Sequence, residues 1–360
     1  MQSMRFQFVT LLWLGVWMAA TAVPAAAQAK PAGPGANAAT AAPPAAGKWV
    51  APRTAWGEPD LEGLWPANDM QGTPYERPQD VKSDVVSDAQ FAERQRTRRQ
   101  QSEQDAEQFV ANRPRNNAGT GPPSHWGERG NPSRQASLVV DPPDGRIPPM
   151  TDEGKKRIAM ARSTYWYDFP DAVVAHPFET FEDLGPYDRC ITRGVLSSML
   201  PTGYNMGTRI LQYPGHVVIQ NEMIHEVRDI PVNGRGHLPG TIRGYMGDSI
   251  GRWDGDTLVI ETTNFNAKVG LTRNGNTLLH SQDLKLTERL TRVDQDTIHY
   301  EATIDDARTW TRPWKVALPL TQHPEYQMFE YACHEGNYAI RHILSGERAA
   351  EKEAAGAPNP

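Results

Sequence analysis

The chain has few cysteines and no excess of basic residues. Each of these features argues against one class of protein. Only two of its 360 residues are cysteine, which argues against a small scaffold built on several disulfides. Its formal net charge is −6, so nothing favours binding to nucleic acid or another polyanion. The arginine-rich run at 94–99 is flanked by acidic residues and indicates a solvated helix face.

Signatures of common cofactor enzymes are also missing. The sequence has no phosphate-binding Gly-rich loop after a strand and no dinucleotide fingerprint, which disfavours ATP and nicotinamide enzymes. His225-Glu226 lacks the second histidine of a zinc-protease helix, and the acidic turns lack the ligand spacing of a calcium loop. We therefore expect no metal and no cofactor.

The N-terminus is typical of an export signal. Arg5 supplies positive charge, residues 8–19 form a short apolar run, and the alanines at 25–27 offer a cleavage site. The apolar run is shorter than the ~20 residues of a membrane span. We expect residues 1–29 to be removed, leaving a periplasmic or secreted protein without stable membrane insertion. Residues 30–50, rich in Ala and Pro, are expected to be a disordered linker.

The two cysteines, Cys190 and Cys333, are expected to form a disulfide in an oxidising compartment. By the chain-entropy model, a loop of this length gives on the order of 4 to 5 kcal/mol of stabilisation. The bridge would tie the middle of the chain to its end.

The remaining chain divides by composition. Residues 51–185 are predicted to be irregular and helical and to wrap around the domain that follows. Helices are expected at 87–110 and 151–163 and a short strand at 137–140. Residues 186–346 predict an antiparallel β domain with a terminal helix at 338–347, followed by a disordered tail at 347–360. Its strand-like runs lie at 209–213, 217–230, 251–253, 257–263, 284–293, 298–304, 310–318 and 326–331.

Short turns separate these runs, including Pro214-Gly215 and Asp254-Gly255. This spacing is typical of an antiparallel meander. The fold is therefore expected to be mainly β, closing into a lipocalin-like barrel or folding into a sandwich, with few short helices.

Some ionisable residues fall in line with apolar neighbours. Glu288 alternates with leucines, and Arg312 alternates with Trp310 and Trp314, so both are expected to face the interior. They could form a buried ion pair, or they could line a polar ligand cavity inside a barrel.

The run at 217–230 contains the densest polar cluster. Period-two alternation places Glu222 and Arg228 on one face and His225 on the other, among apolar side chains. His225 could be a general base whose pKa is set by burial. A core histidine bonded to a backbone carbonyl is an equally good interpretation.

The segment 331–338 is a second candidate. If Cys333 is bridged, His334 and Glu335 are held at a corner between strand and helix, where functional groups often collect. Alternatively, Glu335 and Asn337 simply suit the start of a helix.

Four segments resemble an uncharacterised family of exported, β-rich bacterial proteins. They are 247–265 (beginning Gly-Asp-Ser-Ile-Gly-Arg-Trp-Asp-Gly-Asp), 141–148, 309–314 and 331–338. The resemblance covers most of residues 56–346 and implies no mechanism. Gly63-Leu64-Trp65 also resembles the Gly-x-Trp that opens lipocalins, although Pro66 interrupts the expected strand.

Two hypotheses follow. The first is an acid–base enzyme (lyase, isomerase or hydrolase) acting on a small organic or sugar-like molecule, with His225 as base or acid and Arg228 or Arg252 holding an anion. Its catalytic partners would be Glu222, His334 and Glu335, and its substrate-binding residues Arg252, Asn337, Tyr331, Glu288 and Arg312. The alternative is a lipocalin-like binding protein with an apolar interior and no convergent acids and bases.

Overall fold

The computed structural model describes residues 49–108, 126–160 and 178–356. These described residues all belong to one compact unit. The predicted export signal and nearly all of the predicted linker lie outside the described residues. No helix in the described ranges is long and apolar enough to cross a membrane.

The described ranges contain ten strands and four α-helices. The strands are β1 (Gly63–Leu64), β2 (Val139–Asp141), β3 (Thr208–Tyr213), β4 (His216–Asn221), β5 (Val227–Pro231), β6 (Asp248–Asp254), β7 (Thr257–Thr263), β8 (Lys285–Arg292), β9 (Thr297–Asp305) and β10 (Trp314–Thr321). The helices are α1 (Asp88–Gln108), α2 (Asp152–Ile158), α3 (Val195–Met199) and α4 (Ala339–Ala354).

The strands form two antiparallel sheets. One has the order β1-β3-β4-β5, and the other has the order β2-β10-β9-β8-β7-β6. Consecutive strands from β6 to β10 pair as neighbours, so the prediction of an antiparallel meander is confirmed. No closed barrel occurs within the described ranges.

Both sheets contribute to a single apolar core. Ile219 of β4 and Ile230 of β5 belong to the same buried cluster as Leu258 of β7 and Leu290 of β8. These residues occupy alternate strand positions, as expected when one face of each sheet is buried. The N-terminal segment also enters this core, because Trp65 is fully buried in it.

The predicted strand at 217–230 is wrong because the chain reverses within it. β4 ends at Asn221, a turn follows, and β5 returns antiparallel from Val227. The backbone N–H of Asn221 donates to the carbonyl of Glu226 at 2.8 Å, which closes the turn. Ile224 and His225 inside it have positive φ angles, so period-two alternation does not hold across it.

Other boundaries also differ. Residues 326–331 form no strand, because the chain leaves the sheet after β10. The terminal helix α4 continues to Ala354, so residues 347–354 are helical and not part of a disordered tail.

Candidate active site

A disulfide ties the C-terminal segment to the turn before α3. Cys190 and Cys333 are bonded, with their α-carbons 5.7 Å apart and a sequence separation of 143. The predicted pairing is confirmed. Through this bond, residues after β10 share a cavity wall with residues around Tyr187.

An open cavity of about 700 Å³ lies beside the disulfide, and we call it the aromatic cavity. Trp126 meets Tyr204 edge-on with 6.3 Å between ring centroids, and Tyr204 stacks on Tyr331 at 6.5 Å. Tyr187 and Phe329 complete its aromatic lining. A wall with several aromatic side chains and a volume between ~300 and 1,000 Å³ are typical of small-molecule sites.

The turn between β4 and β5 supports this cavity. Met223 and Ile224 are buried with Tyr187 in a small second core, against which Tyr204 and Tyr331 pack. Burial of these side chains offsets the cost of the left-handed backbone at Ile224, where φ is 62°.

A buried arginine lies near the tyrosines. Arg193 is 1% exposed, and its Nε donates to the carbonyl of Arg273 at 3.1 Å. Burial lowers the pKa of Arg193, although the negative charge of Glu226 acts in the opposite direction. Burial also raises the pKa of Tyr204 and of Tyr331 to about 12, so both phenols keep their protons at neutral pH.

Glu222, a candidate from the sequence, is a buried carboxylate with hydrogen-bond donors on both oxygens. Its Oε1 accepts from Asn205 Nδ2 at 3.0 Å and from the backbone N–H of Phe329 at 2.8 Å. Its Oε2 accepts from the backbone N–H of Gly207 at 3.2 Å and from the Tyr326 hydroxyl at 2.6 Å. These four donors use both oxygens and fix the position of the carboxylate.

The Tyr326 hydroxyl also reaches a second carboxylate, since Glu128 Oε2 lies 2.9 Å from it. Burial raises the pKa of Glu128, and the charge of Glu222 acts in the same direction. Burial and the same two carboxylates raise the pKa of Tyr326. One phenolic proton cannot be donated to two carboxylates at once. The raised pKa of Glu128 favours the neutral form of that carboxyl beside Glu222.

A second cavity of about 380 Å³ shares Glu128 and Phe329 with the aromatic cavity, and we call it the small cavity. His323 lines it, with Nε2 3.1 Å from Asp69 Oδ1. His323 Nδ1 lies 3.9 Å from Glu325 Oε1, which is too far for a hydrogen bond. A carboxylate on one ring nitrogen orients the imidazole and leaves the other nitrogen to exchange a proton.

Local backbone geometry positions these groups. After β10, the turn His323-Pro324-Glu325-Tyr326 is closed by the Tyr326 N–H donating to the His323 carbonyl at 2.9 Å, with proline at its favoured second position. Asp69 lies in the 3₁₀ turn Asn68–Met70. Gly130 packs against it so closely that a β-carbon there would lie 2.2 Å from Asp69 Oδ1.

His225 does not lie on an apolar strand face, and that prediction is wrong. It is exposed in the turn, and its Nδ1 donates to the Tyr331 carbonyl at 3.0 Å. No carboxylate contact is found for it in the described ranges. Its neighbour Glu226 is more buried and accepts from Thr192 Oγ1 at 2.6 Å, and burial raises the pKa of Glu226.

The predicted Glu288–Arg312 pair is also wrong. Glu288 is buried, but its partner is Arg228, whose Nη1 lies 2.7 Å from Oε2, and the Tyr300 hydroxyl donates to Oε1 at 3.0 Å. Arg312 precedes β10, is exposed and pairs with Asp141 at 2.8 Å. The Arg228–Glu288 pair joins the two sheets inside the core and lines neither cavity.

Of the remaining candidates from the sequence, two line the aromatic cavity and three lie outside both cavities. Asn337 and Tyr331 line the aromatic cavity, and Asn337 Nδ2 donates to Cys190 Sγ at 3.1 Å. His334 and Glu335 are exposed beside the disulfide and line neither cavity. Arg252 is exposed on β6, away from both.

One serine has the spacing of a nucleophile elbow, at Gly247-Asp248-Ser249-Ile250-Gly251. Ser249 lies within β6 and not at a turn from strand to helix, and its hydroxyl bonds to that of Thr262 at 2.9 Å. The motif therefore lacks the structural context that nucleophilic catalysis requires.

Sequence reasoning missed Glu128, Tyr326, His323 and Asp69. Glu128 lies within the irregular and helical segment predicted at 51–185, and the other three were assigned no role. Trp126 and Glu128, an aromatic and an acid in a loop rich in Gly and Pro, offered a weak signal.

Comparison with protein-family models gives no match, and comparison with curated proteins gives none either. Any functional assignment therefore depends on the geometry described above.

Proposed function

We propose that this protein is an exported acid–base enzyme (a lyase, isomerase or hydrolase) acting on a small organic or sugar-like molecule where the two cavities meet. One observation carries the proposal. A carboxyl with a raised pKa, Glu128, and an imidazole oriented by a carboxylate, His323, line the same small cavity. A buried carboxyl with a raised pKa and an oriented imidazole in one cavity are the parts that general acid–base catalysis needs.

The roles follow from the contacts. Glu128 donates a proton, because burial and the neighbouring charge of Glu222 favour its neutral form. Tyr326 holds the two carboxyls in one hydrogen-bonded unit. His323 accepts a proton, with Asp69 stabilising the imidazolium that forms. The aromatic cavity holds the body of the substrate beside Glu128.

The protonation of Glu128 is tested by NMR titration of protein labelled at its glutamate carboxyl carbons. We expect Glu128 and Glu226 both to titrate above the ordinary glutamate range, and the Glu128 signal to be missing in Glu128→Gln. If the signal that is lost in Glu128→Gln titrates in the ordinary range, the proposed acid does not exist.

Turnover is tested with a panel of p-nitrophenyl esters and glycosides. Glu128→Gln and His323→Asn should each lower kcat by about 10²- to 10⁴-fold, the usual contribution of a general acid or base. His225→Ala, which changes a histidine outside both cavities, is the matched control. Activity that survives both site variants would refute the assignment. Panel compounds that bind in the aromatic cavity without turnover would favour a binding protein.

A further inference from the structure

We infer that the aromatic cavity binds an organic cation, such as a substrate with an ammonium group. This inference rests on the proposed use of that cavity as the substrate site, and it adds the chemical class of the ligand. Its basis is the joint presence of open aromatic faces and acidic side chains in one cavity.

The aromatic faces are unusually open. Trp126 and Phe329 leave 55% and 64% of their surface exposed, although both line a cavity. Large aromatic side chains left exposed in one cavity mark a surface that another molecule covers. A cation over such a ring gains ~0.5 to 2 kcal/mol, more when water is excluded.

The charges that line the cavity have one sign. Among the described residues of its wall, Glu128, Asp188 and Glu330 are acidic, and neither lysine nor arginine occurs. The buried Arg193 is not part of the lining, and it feels the opposing charge of Glu226. An anionic ligand would therefore meet repulsion from the described residues of the wall, whereas a cation meets both aromatic rings and carboxylates there.

A cation beside Glu128 also competes with its proton. A bound positive charge lowers the raised pKa of Glu128 towards the ordinary glutamate range, so binding should tighten as pH rises through that raised pKa. At lower pH the carboxyl keeps the proton that the proposed reaction uses. A neutral ligand held by stacking alone would show no such coupling.

The test compares choline with 3,3-dimethylbutan-1-ol, in which carbon replaces the charged nitrogen and the shape is kept. Binding is measured by isothermal titration calorimetry on the full exported chain. We expect choline to bind at least about 10-fold more tightly than its neutral analogue, and its affinity to rise between pH 5 and pH 8.

Variants locate the site. Trp126→Leu and Phe329→Leu should each weaken choline binding several-fold, and Glu128→Gln should remove the pH dependence. Trp56→Leu changes an exposed tryptophan outside the cavity and should leave choline binding unchanged.

Equal affinity for the two probes, or no choline binding, overturns the inference. That result leaves the NMR titration of Glu128 untouched, so the proposed acid could still stand. Conversely, a choline preference with an ordinary Glu128 titration would keep the cation site and remove the proposed catalysis.

Discussion

Tyr326→Phe removes the hydroxyl that bridges Glu128 and Glu222 and keeps the ring. Glu222 retains three donors and Glu128 retains two backbone N–H groups, so neither carboxylate is left without a partner. The loss is then about one hydrogen bond to a charged group, or ~1.5 to 3 kcal/mol of the free energy of unfolding.

The cost should depend on pH. Because the pKa of Glu128 is raised in the folded state, its contribution to stability falls as pH rises from the ordinary glutamate pKa through the raised one. The Tyr326 bond lowers that pKa, so losing it raises the pKa further. The variant should therefore lose more stability at pH 8 than at pH 5.

Urea unfolding of both proteins at the two pH values measures this difference. Tyr213→Phe is the matched control, since that hydroxyl also bonds a carboxylate, Asp229 at 3.1 Å, but on the exposed surface. The control should change little at either pH. A Tyr326→Phe protein as stable as the control, with no pH dependence, would show that the phenol does not bridge the carboxyls.

Further predictions concern the buried ion pair, the loop that carries Glu128, and the disulfide. Arg228→Ala should cost about 3 to 5 kcal/mol, because Glu288 stays buried without its partner, whereas replacing Arg228, Glu288 and Tyr300 together by Met, Leu and Phe should cost far less in urea unfolding. Gly130→Ala should displace the loop that carries Glu128 and abolish the raised titration of Glu128 in the NMR experiment. Gly203→Ala is the control and should leave that titration unchanged, because a β-carbon at Gly203 has no other atom within 4 Å. Reducing the disulfide should lower stability by about 5 kcal/mol by the chain-entropy model, and a reduced protein with an unchanged urea midpoint would contradict it.

Much of the fold was predictable because its signals are local. Turn residues such as Pro214-Gly215 and alternation over β7 to β9 depend on neighbours within a few positions. The prediction failed at 222–226, where alternation continues in the sequence although the chain turns back. Burial of Met223 and Ile224 in the small second core accounts for that turn, and no local pattern reports such packing.

The site was less predictable for a related reason. Glu222 was identified as a candidate, but its partners come from distant segments: Glu128 lies 94 positions before it and Tyr326 lies 104 positions after it. Alternation correctly placed Glu288 in the interior and could not name Arg228 as its partner. Pairings between strands depend on sheet order, which period-two patterns do not contain.

The cysteine pair shows what the sequence can predict and what requires the tertiary structure. With only two cysteines and an export-like N-terminus, the sequence by itself determined which residues would bond, as well as the class of fold. Only the tertiary structure decided that this bond borders the aromatic cavity, and that Glu128, Tyr326 and His323 line the adjoining small cavity. The identity of two cysteines is enough to predict a disulfide. Non-covalent contacts between side chains depend on how distant segments pack, which the sequence does not state locally.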